Sequence, residues 1–293
     1  MKNYIVGIGE ALWDMFPEGK KMGGAPANFA YHVSQFGLDS CAVSAIGNDE
    51  LGREIVEEME KAGLNYSLPV VGYPTGTVQV ELDSKGDPSY VISENVAWDN
   101  IPCTEELLEM ASSCRAVCYG SLAQRNSISR HTIETFLDAM SEDSLKIFDI
   151  NIRQHFWSEE VVTSSLKRAD ILKINEHEIV QVAQIYGLAD MTIEEQCRAL
   201  MTEFSLKLVI LTCGEVGSYV FSQEDVSYKD TPKVEVASAV GAGDSFTGAF
   251  VAAYLGGAGI KAAHELAVEV SAYVCTQTGA MPELPETLKE LRK

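Results

Sequence analysis

Gly241, Ala242 and Gly243 stand directly before one carboxylate, Asp244, and an apolar run, TGAFVAAYL, follows Phe246. Bare backbone of this kind lets consecutive N–H groups point at a ligand without side-chain obstruction. The helix predicted by the apolar run adds partial positive charge at its N-terminus. Such a geometry suits a phosphate or a developing oxyanion. Asp244 would repel that anion unless it had another task. Taking a proton from a hydroxyl that attacks phosphorus is such a task. Taken alone, the same residues also describe an ordinary turn with an acid in the first turn of a helix.

Two further stretches offer chemistry. GGAPANFAYHVSQFG pairs Gly23 and Gly24 with Asn28 at the start of an amphipathic helix. Open backbone plus one amide suits sugar hydroxyls, although a helix start of small residues fits as well. In GEALWDMF, Asp14 follows the first strand by a few residues, where α/β sheets bind ligands. A solvated loop acid is the plainer reading. Other patterns are set aside. GIGEAL lacks the third glycine of a dinucleotide fingerprint, and no G-x-x-x-x-G-K-[ST] loop is present. The five histidines have no metal-ligand spacing, and His177 in NEHE reads as a helix-surface residue.

The chain must also position these residues. Its 293 residues are 46% hydrophobic, ample for a large core, and carry a net charge of −21. Nucleic acid and anionic membrane surfaces are therefore poor partners. A small anion held by backbone N–H groups is not excluded. The N-terminus lacks the pattern of a signal peptide, and no apolar run is long enough to span a membrane. Seven scattered cysteines form no C-x-x-C pair and are expected to be buried, reduced thiols. A cytoplasmic location is expected, with the NYS sequon at Asn65 idle.

Short apolar runs at 4–11, 41–47, 115–121, 145–151, 170–175 and 206–212 read as buried strands. Helical patterns at 26–36, 50–62, 104–113, 127–140, 159–168, 176–186 and 192–204 lie between them. The alternation predicts a doubly wound, mostly parallel α/β sheet flanked by helices. Two more helices at 243–278 are split by GGAG at 256–259. Residues 66–93 break the pattern, with β-formers and a hairpin turning at DSKGD. With residues 12–22 they are expected to form a small separate sheet. A lid made from about 12–22 and 66–96 is one reading; an edge hairpin is the other. One domain with a lid is expected over 1–293.

In order along the chain, GEALWDMFP (9–17), GGAPANFA (23–30), AIGNDELG (45–52), YGSLAQR (119–125), DINIRQHFW (149–157), LKINEHE (172–178), TCGEVGS (212–218) and VGAGDSF (240–246) resemble the ribokinase/PfkB family of sugar kinases, closest to its fructokinases. The resemblance implies a ribokinase-like fold and ATP-dependent phosphorylation of a sugar's primary hydroxyl, with Mg²⁺. It implies that Asp244 is the catalytic base and that Gly241, Ala242 and Gly243 form an anion hole. Asp14, Gly23, Gly24, Asn28 and Arg153 match sugar-side positions. Lys173, Asn175, Thr212, Gly214 and Gly217 match nucleotide-side positions. Asn175 and Glu178 match an N-x-x-E motif that organises Mg²⁺ through water. The lid is often also a homodimer interface in that family.

The chain departs from the family pattern in three places. Ser238 and Ala239 replace an Asp-Thr pair, which puts the family's monovalent-cation site in doubt. Ile150 and Gln154 replace prolines near Arg153, where the sugar choice is made. The resemblance therefore leaves open a kinase for another sugar, for 2-keto-3-deoxygluconate or for a nucleoside. A catalytically silent sugar-binding regulator is the rival of another class, although the base and the bare turn are both intact.

Overall fold

The computed structural model describes residues 4–17, 19–82 and 88–290. The expected hairpin turn at 83–87 lies outside them. The main sheet is built from β1 (Ile5–Ile8), β4 (Ser40–Val43), β6 (Asn65–Ser67), β10 (Ala116–Tyr119), β11 (Leu145–Asp149), β12 (Ile171–Asn175), β13 (Leu208–Cys213), β14 (Gly217–Phe221) and β15 (Val226–Asp230). Their spatial order is β15-β14-β13-β12-β11-β10-β1-β4-β6. All pairings from β6 to β13 are parallel, while β14 and β15 extend the edge antiparallel. The sequence reading did not foresee those two. Val226–Asp230 is only partly buried, so it lacks the continuous apolar run of a strand covered on both faces.

Successive residues along the strands feed opposite layers, as the pleat requires. Ile5, Ile147, Ile171 and Ile210 pack against α1 (Ala25–Ser34), α8 (Ala242–Leu255) and α9 (Ile260–Cys275) through Phe29, Val33, Phe250 and Leu266. Val6, Val117, Phe148, Leu172 and Val209 face the other way. There they meet α3 (Glu105–Ser113), α4 (Ser127–Ala139), α5 (Glu159–Arg168), α6 (Glu176–Ile185) and α7 (Ile193–Glu203). Each such side chain contributes about 1.5–3 kcal/mol by leaving water. On the first side, α2 (Glu50–Lys61) covers Ala42 with Ile55 and Met59, and α10 (Glu286–Glu290) ends the described chain.

The chain runs from β1 outward to β4 and β6, then returns to lay β10 against the other edge of β1. That reversal opens a crevice at the carboxyl ends of β1 and β10, the place where sheets of this kind bind ligands.

A second sheet, in the order β3-β2-β8-β9, stands apart. It contains β2 (Leu12–Phe16), β3 (Gly19–Gly23), β8 (Gly76–Leu82) and β9 (Pro88–Ile92). The expected small sheet is thus present, with one correction to its extent. Asn65–Ser67 belongs to the main sheet, and β7 (Val70–Val71) pairs with β5 (Ile46–Gly47). The AIGNDELG stretch fastens the root of β8. Asp49 accepts hydrogen bonds from the Gly52 and Thr75 amides at 2.8 Å and from the Thr75 hydroxyl at 2.6 Å.

Cys41, Cys114, Cys118 and Cys197 are buried free thiols, but Cys103 is exposed and Cys213 and Cys275 are half-buried, which corrects the uniform expectation. Among the described residues no helix is long and apolar enough to cross a membrane.

Candidate active site

Helix α8 begins at the crevice, and no side chain caps it. Its first-turn N–H groups therefore lack the usual side-chain acceptor. Gly241 precedes it with φ +80°, in the left-handed region that favours glycine. A Cβ there would also lie 2.7 Å from the Ala280 Cα. A Cβ at Gly243 would stand 2.9 Å from Lys173 Nζ. Both glycines let the turn settle onto its supports, and an ammonium lies directly beneath it.

Asp244, in the first turn of α8, points back towards α1. Asn28 Nδ2 donates to its Oδ2 at 2.8 Å. Burial pushes the Asp244 carboxyl up to about 6, and the Asp149 charge adds to this; the Asn28 hydrogen bond, Lys173 and Arg153 oppose it. Asn28 is itself buried, and its Oδ1 has no hydrogen-bond partner among the described residues.

Two more acids complete this end. Glu10 follows β1, is 4% exposed, and its Oε2 lacks a partner among the described residues. Burial pushes it up to about 7; the Asp244 charge raises it further, while backbone hydrogen bonds and Arg153 pull it down. Asp14 lies on β2, in the smaller sheet. Burial pushes it up to about 6 against the pull of Arg153. Gly23 and Gly24 make the fit possible. A Cβ at Gly23 would meet Asp14 Oδ2 at 2.5 Å, and one at Gly24 would run into the Glu10 carbonyl. Arg153 is exposed on the loop after β11 and acts electrostatically on Glu10, Asp14 and Asp244 together.

Below the turn lies a buried ion pair. Lys173 Nζ donates to Asp149 Oδ1 at 3.0 Å, and Thr247 Oγ1 donates to Asp149 Oδ2 at 3.0 Å. Burial works against the Lys173 charge, but Asp149, Glu178 and Asp244 together raise its pKa. Asn175 and Glu178 form a capping box on α6. The Glu178 oxygens accept from the Ile152 amide at 2.9 Å and the Asn175 amide at 3.0 Å. This pins the loop carrying Arg153 to α6.

Thr212, Gly214 and Gly217 sit farther along the same edge, at the end of β13 beside Asn175. Gly214 has φ +51°, and Thr231 Oγ1 donates to its carbonyl at 2.7 Å. Val216 is exposed in this turn, and Val234, Val236 and Val240 are exposed on the segment between β15 and α8. The crevice thus has an acidic end at β1, and one exposed valine, Val216, at its β13 end.

The pfkB family of carbohydrate kinases matches residues 17–287. The chain belongs to that family. It is 29% identical to an ATP-dependent 6-phosphofructokinase of Thermoanaerobacterium thermosaccharolyticum, covering 98% of this chain and 93% of the relative. It is 30% identical to a fructokinase of Klebsiella pneumoniae, covering 97% of each. The fructokinase of Xylella fastidiosa, solved with bound ATP, superposes over 99% of this chain and 98% of its own with TM-score 0.85, at 20% identity. That last likeness carries the ribokinase-like fold.

In this pfkB-family kinase the structure gathers Asp244, Asn28, Asp14, Gly23, Gly24 and Arg153 at one end of the crevice. Lys173 lies under the glycine turn, and Thr212, Gly214 and Gly217 lie at the other end. Sequence reasoning missed Glu10, Asp149 and Thr247. Glu10 looks like a spacer between Gly9 and Ala11, and only the fold turns it towards Asp244. His177 is exposed, as expected. Among the described residues no group of three or more His, Cys, Asp or Glu is arranged to hold a metal. An outer-sphere site does not need such a group: a hard divalent cation that keeps its waters and phosphate ligands could be held through those waters by Asn175 and Glu178.

Proposed function

We propose that this kinase transfers the γ-phosphoryl group of ATP to a primary hydroxyl of a neutral sugar, with fructose as the favoured acceptor and fructose 6-phosphate as product. The observation that carries this reading is the Asn28–Asp244 contact at the mouth of an uncapped helix. A general base, open backbone donors and two buried acceptors without donors meet there, as a polyhydroxyl acceptor requires.

Asp244 accepts the proton of the attacking hydroxyl. The Gly241–Gly243 backbone and the start of α8 stabilise negative charge on the moving phosphoryl group. Asn28 Oδ1, Asp14 and the Gly23–Gly24 turn hold sugar hydroxyls, and Arg153 sits between sugar and phosphate. Lys173 supports the turn from below with positive charge. Thr212, Gly214, Gly217 and the exposed Val216 form the nucleotide end. Mg²⁺, when bound, neutralises phosphate charge, and Asn175 and Glu178 would hold it through water. Catalysis is then positioning plus charge stabilisation. The whole chain acts as one domain, with the smaller sheet as its lid.

A neutral acceptor is favoured over a sugar acid or a sugar phosphate. Glu10, Asp14 and Asp244 face the acceptor end, and Arg153 is the cation that acts on all three. The test is ADP release over a panel of fructose, glucose, ribose, adenosine, 2-keto-3-deoxygluconate and fructose 6-phosphate. Fructose should give the highest kcat/KM; a higher value for any other acceptor overturns the choice of sugar. Asp244→Asn is the control, and loss of a general base costs about 10²–10⁴-fold. No ATP-dependent turnover with any acceptor would favour the silent regulator.

A further inference from the structure

Helix α1 carries two polar side chains one turn apart. Asn28 reaches Asp244, and His32 reaches the carbonyl of Ala280, with Nε2 2.8 Å from the oxygen. His32 is fully buried, and its Nδ1 has no hydrogen-bond partner among the described residues. Nε2 is thus the nitrogen that carries the proton. Burial drives the ring pKa down to about 4, against the pull of the Ala280 carbonyl, so the ring is neutral at working pH.

Ala280 is not a remote anchor. It is the residue on which Gly241 rests, since a Cβ at Gly241 would lie 2.7 Å from the Ala280 Cα and 2.8 Å from its oxygen. The partner helix makes room for the imidazole. A Cβ at Gly248, one turn after Asp244, would stand 2.8 Å from the His32 Cβ. One face of α1 therefore touches both the acid and the support of the glycine turn.

We propose that His32 is a positioning residue for phosphoryl transfer: its Nε2–H holds the Ala280 carbonyl and so fixes the Gly241–Gly243 turn relative to Asp244. The catalytic consequence rests on the kinase reading above; the mechanical link does not. An apolar side chain of similar volume would fill the space but leave the buried carbonyl without a donor. The turn would then lose its fixed height, and misplacement of about 1 Å can cost on the order of 10² in rate.

The experiment compares His32→Phe, which keeps a ring and removes the donor, with His32→Gln, which restores an N–H near the same place. His32→Met repeats the donor-less case should phenylalanine prevent folding. Steady-state kinetics are run where every variant is folded by circular dichroism. The donor-less variant should lose about tenfold or more in kcat, with sugar KM changed by less than about threefold, and His32→Gln should recover most of the loss. Amide exchange at 241–244 and 278–282 should quicken in the donor-less variant and not in His32→Gln. That arm needs no substrate, so it judges the link even if the kinase reading fails. Unchanged exchange, unchanged kcat, or equal damage from Gln and Phe overturns the proposal.

Discussion

Asn28 Nδ2 and Asp244 Oδ2, 2.8 Å apart, join the starts of two helices that lie 216 residues apart in sequence. A donated N–H favours the ionised carboxylate and so opposes the effects of burial and of Asp149. Asp244 must be ionised to take a proton, so kcat/KM should fall as pH drops through about 6. Asn28→Leu removes the donor and destabilises the ionised form. The acid limb should then move to higher pH. Glu10 titrates nearby, at about 7, so the comparison is made in a Glu10→Gln background. The reading is the limb midpoint, because under the proposed role of Asn28 its loss would also weaken sugar binding. A midpoint that stays put or moves down would show that Asn28 does not govern the acid.

The Lys173–Asp149 pair makes a stability prediction. Lys173 is 8% and Asp149 5% exposed, so the pair is buried, and Thr247 satisfies the second carboxylate oxygen. Lys173→Met strands that carboxylate, and breaking a buried pair from one side costs about 3–5 kcal/mol. A loss of 1 kcal/mol lowers Tm by about 2–4 °C for about 150–250 residues, and by somewhat less for this longer chain. Thermal unfolding should therefore show a drop of several degrees, partly restored in Lys173→Met/Asp149→Asn. A single variant as stable as the wild type would contradict this account.

Much of this arrangement is legible in the sequence for a physical reason. Strands buried on both faces must be apolar throughout, so AVCY and LVIL announce themselves. Small residues are needed wherever backbone approaches backbone, as at Gly24 beside Glu10 and Gly241 on Ala280. These marks are local. What pairing does across the fold is not local. Nothing near Asn28 points to Asp244, and nothing near His32 points to Ala280. AIGNDELG marks the family, yet its Asp49 fastens the root of β8. Asn175 and Glu178, expected at a metal, also cap a helix. One motif can serve both ends, and sequence shows only the motif.

The placement of Asp14 predicts a closure. It lies on β2 of the smaller sheet, while Asp244 belongs to the main body. On the proposed role of Asp14, a sugar held by both acids would tie the smaller sheet to the main body. Hydrogen exchange with and without fructose should show added protection at 12–16 and 76–82. An ordinary edge sheet would show none.

Ser238 and Ala239 stand where the family resemblance places an Asp-Thr pair that helps hold a potassium-like ion. A carboxylate is a strong ligand for a hard cation, whereas serine offers one neutral oxygen and the alanine side chain offers none. Here the serine oxygen accepts from the Val240 amide at 3.2 Å, which leaves one lone pair for an ion. The turn has other ties. The Ala237 and Ser238 amides donate to the Cys275 carbonyl at 2.9 and 3.2 Å, and Gly241 packs on Ala280. Direct hydrogen bonds thus hold the segment that an ion would otherwise brace. The expected outcome is little dependence on potassium. The measurement is kcat/KM at constant ionic strength, with potassium exchanged for a bulky organic cation. Activation of about tenfold or more, roughly 1.4 kcal/mol of barrier, would mean that neutral oxygens alone sustain a working cation site.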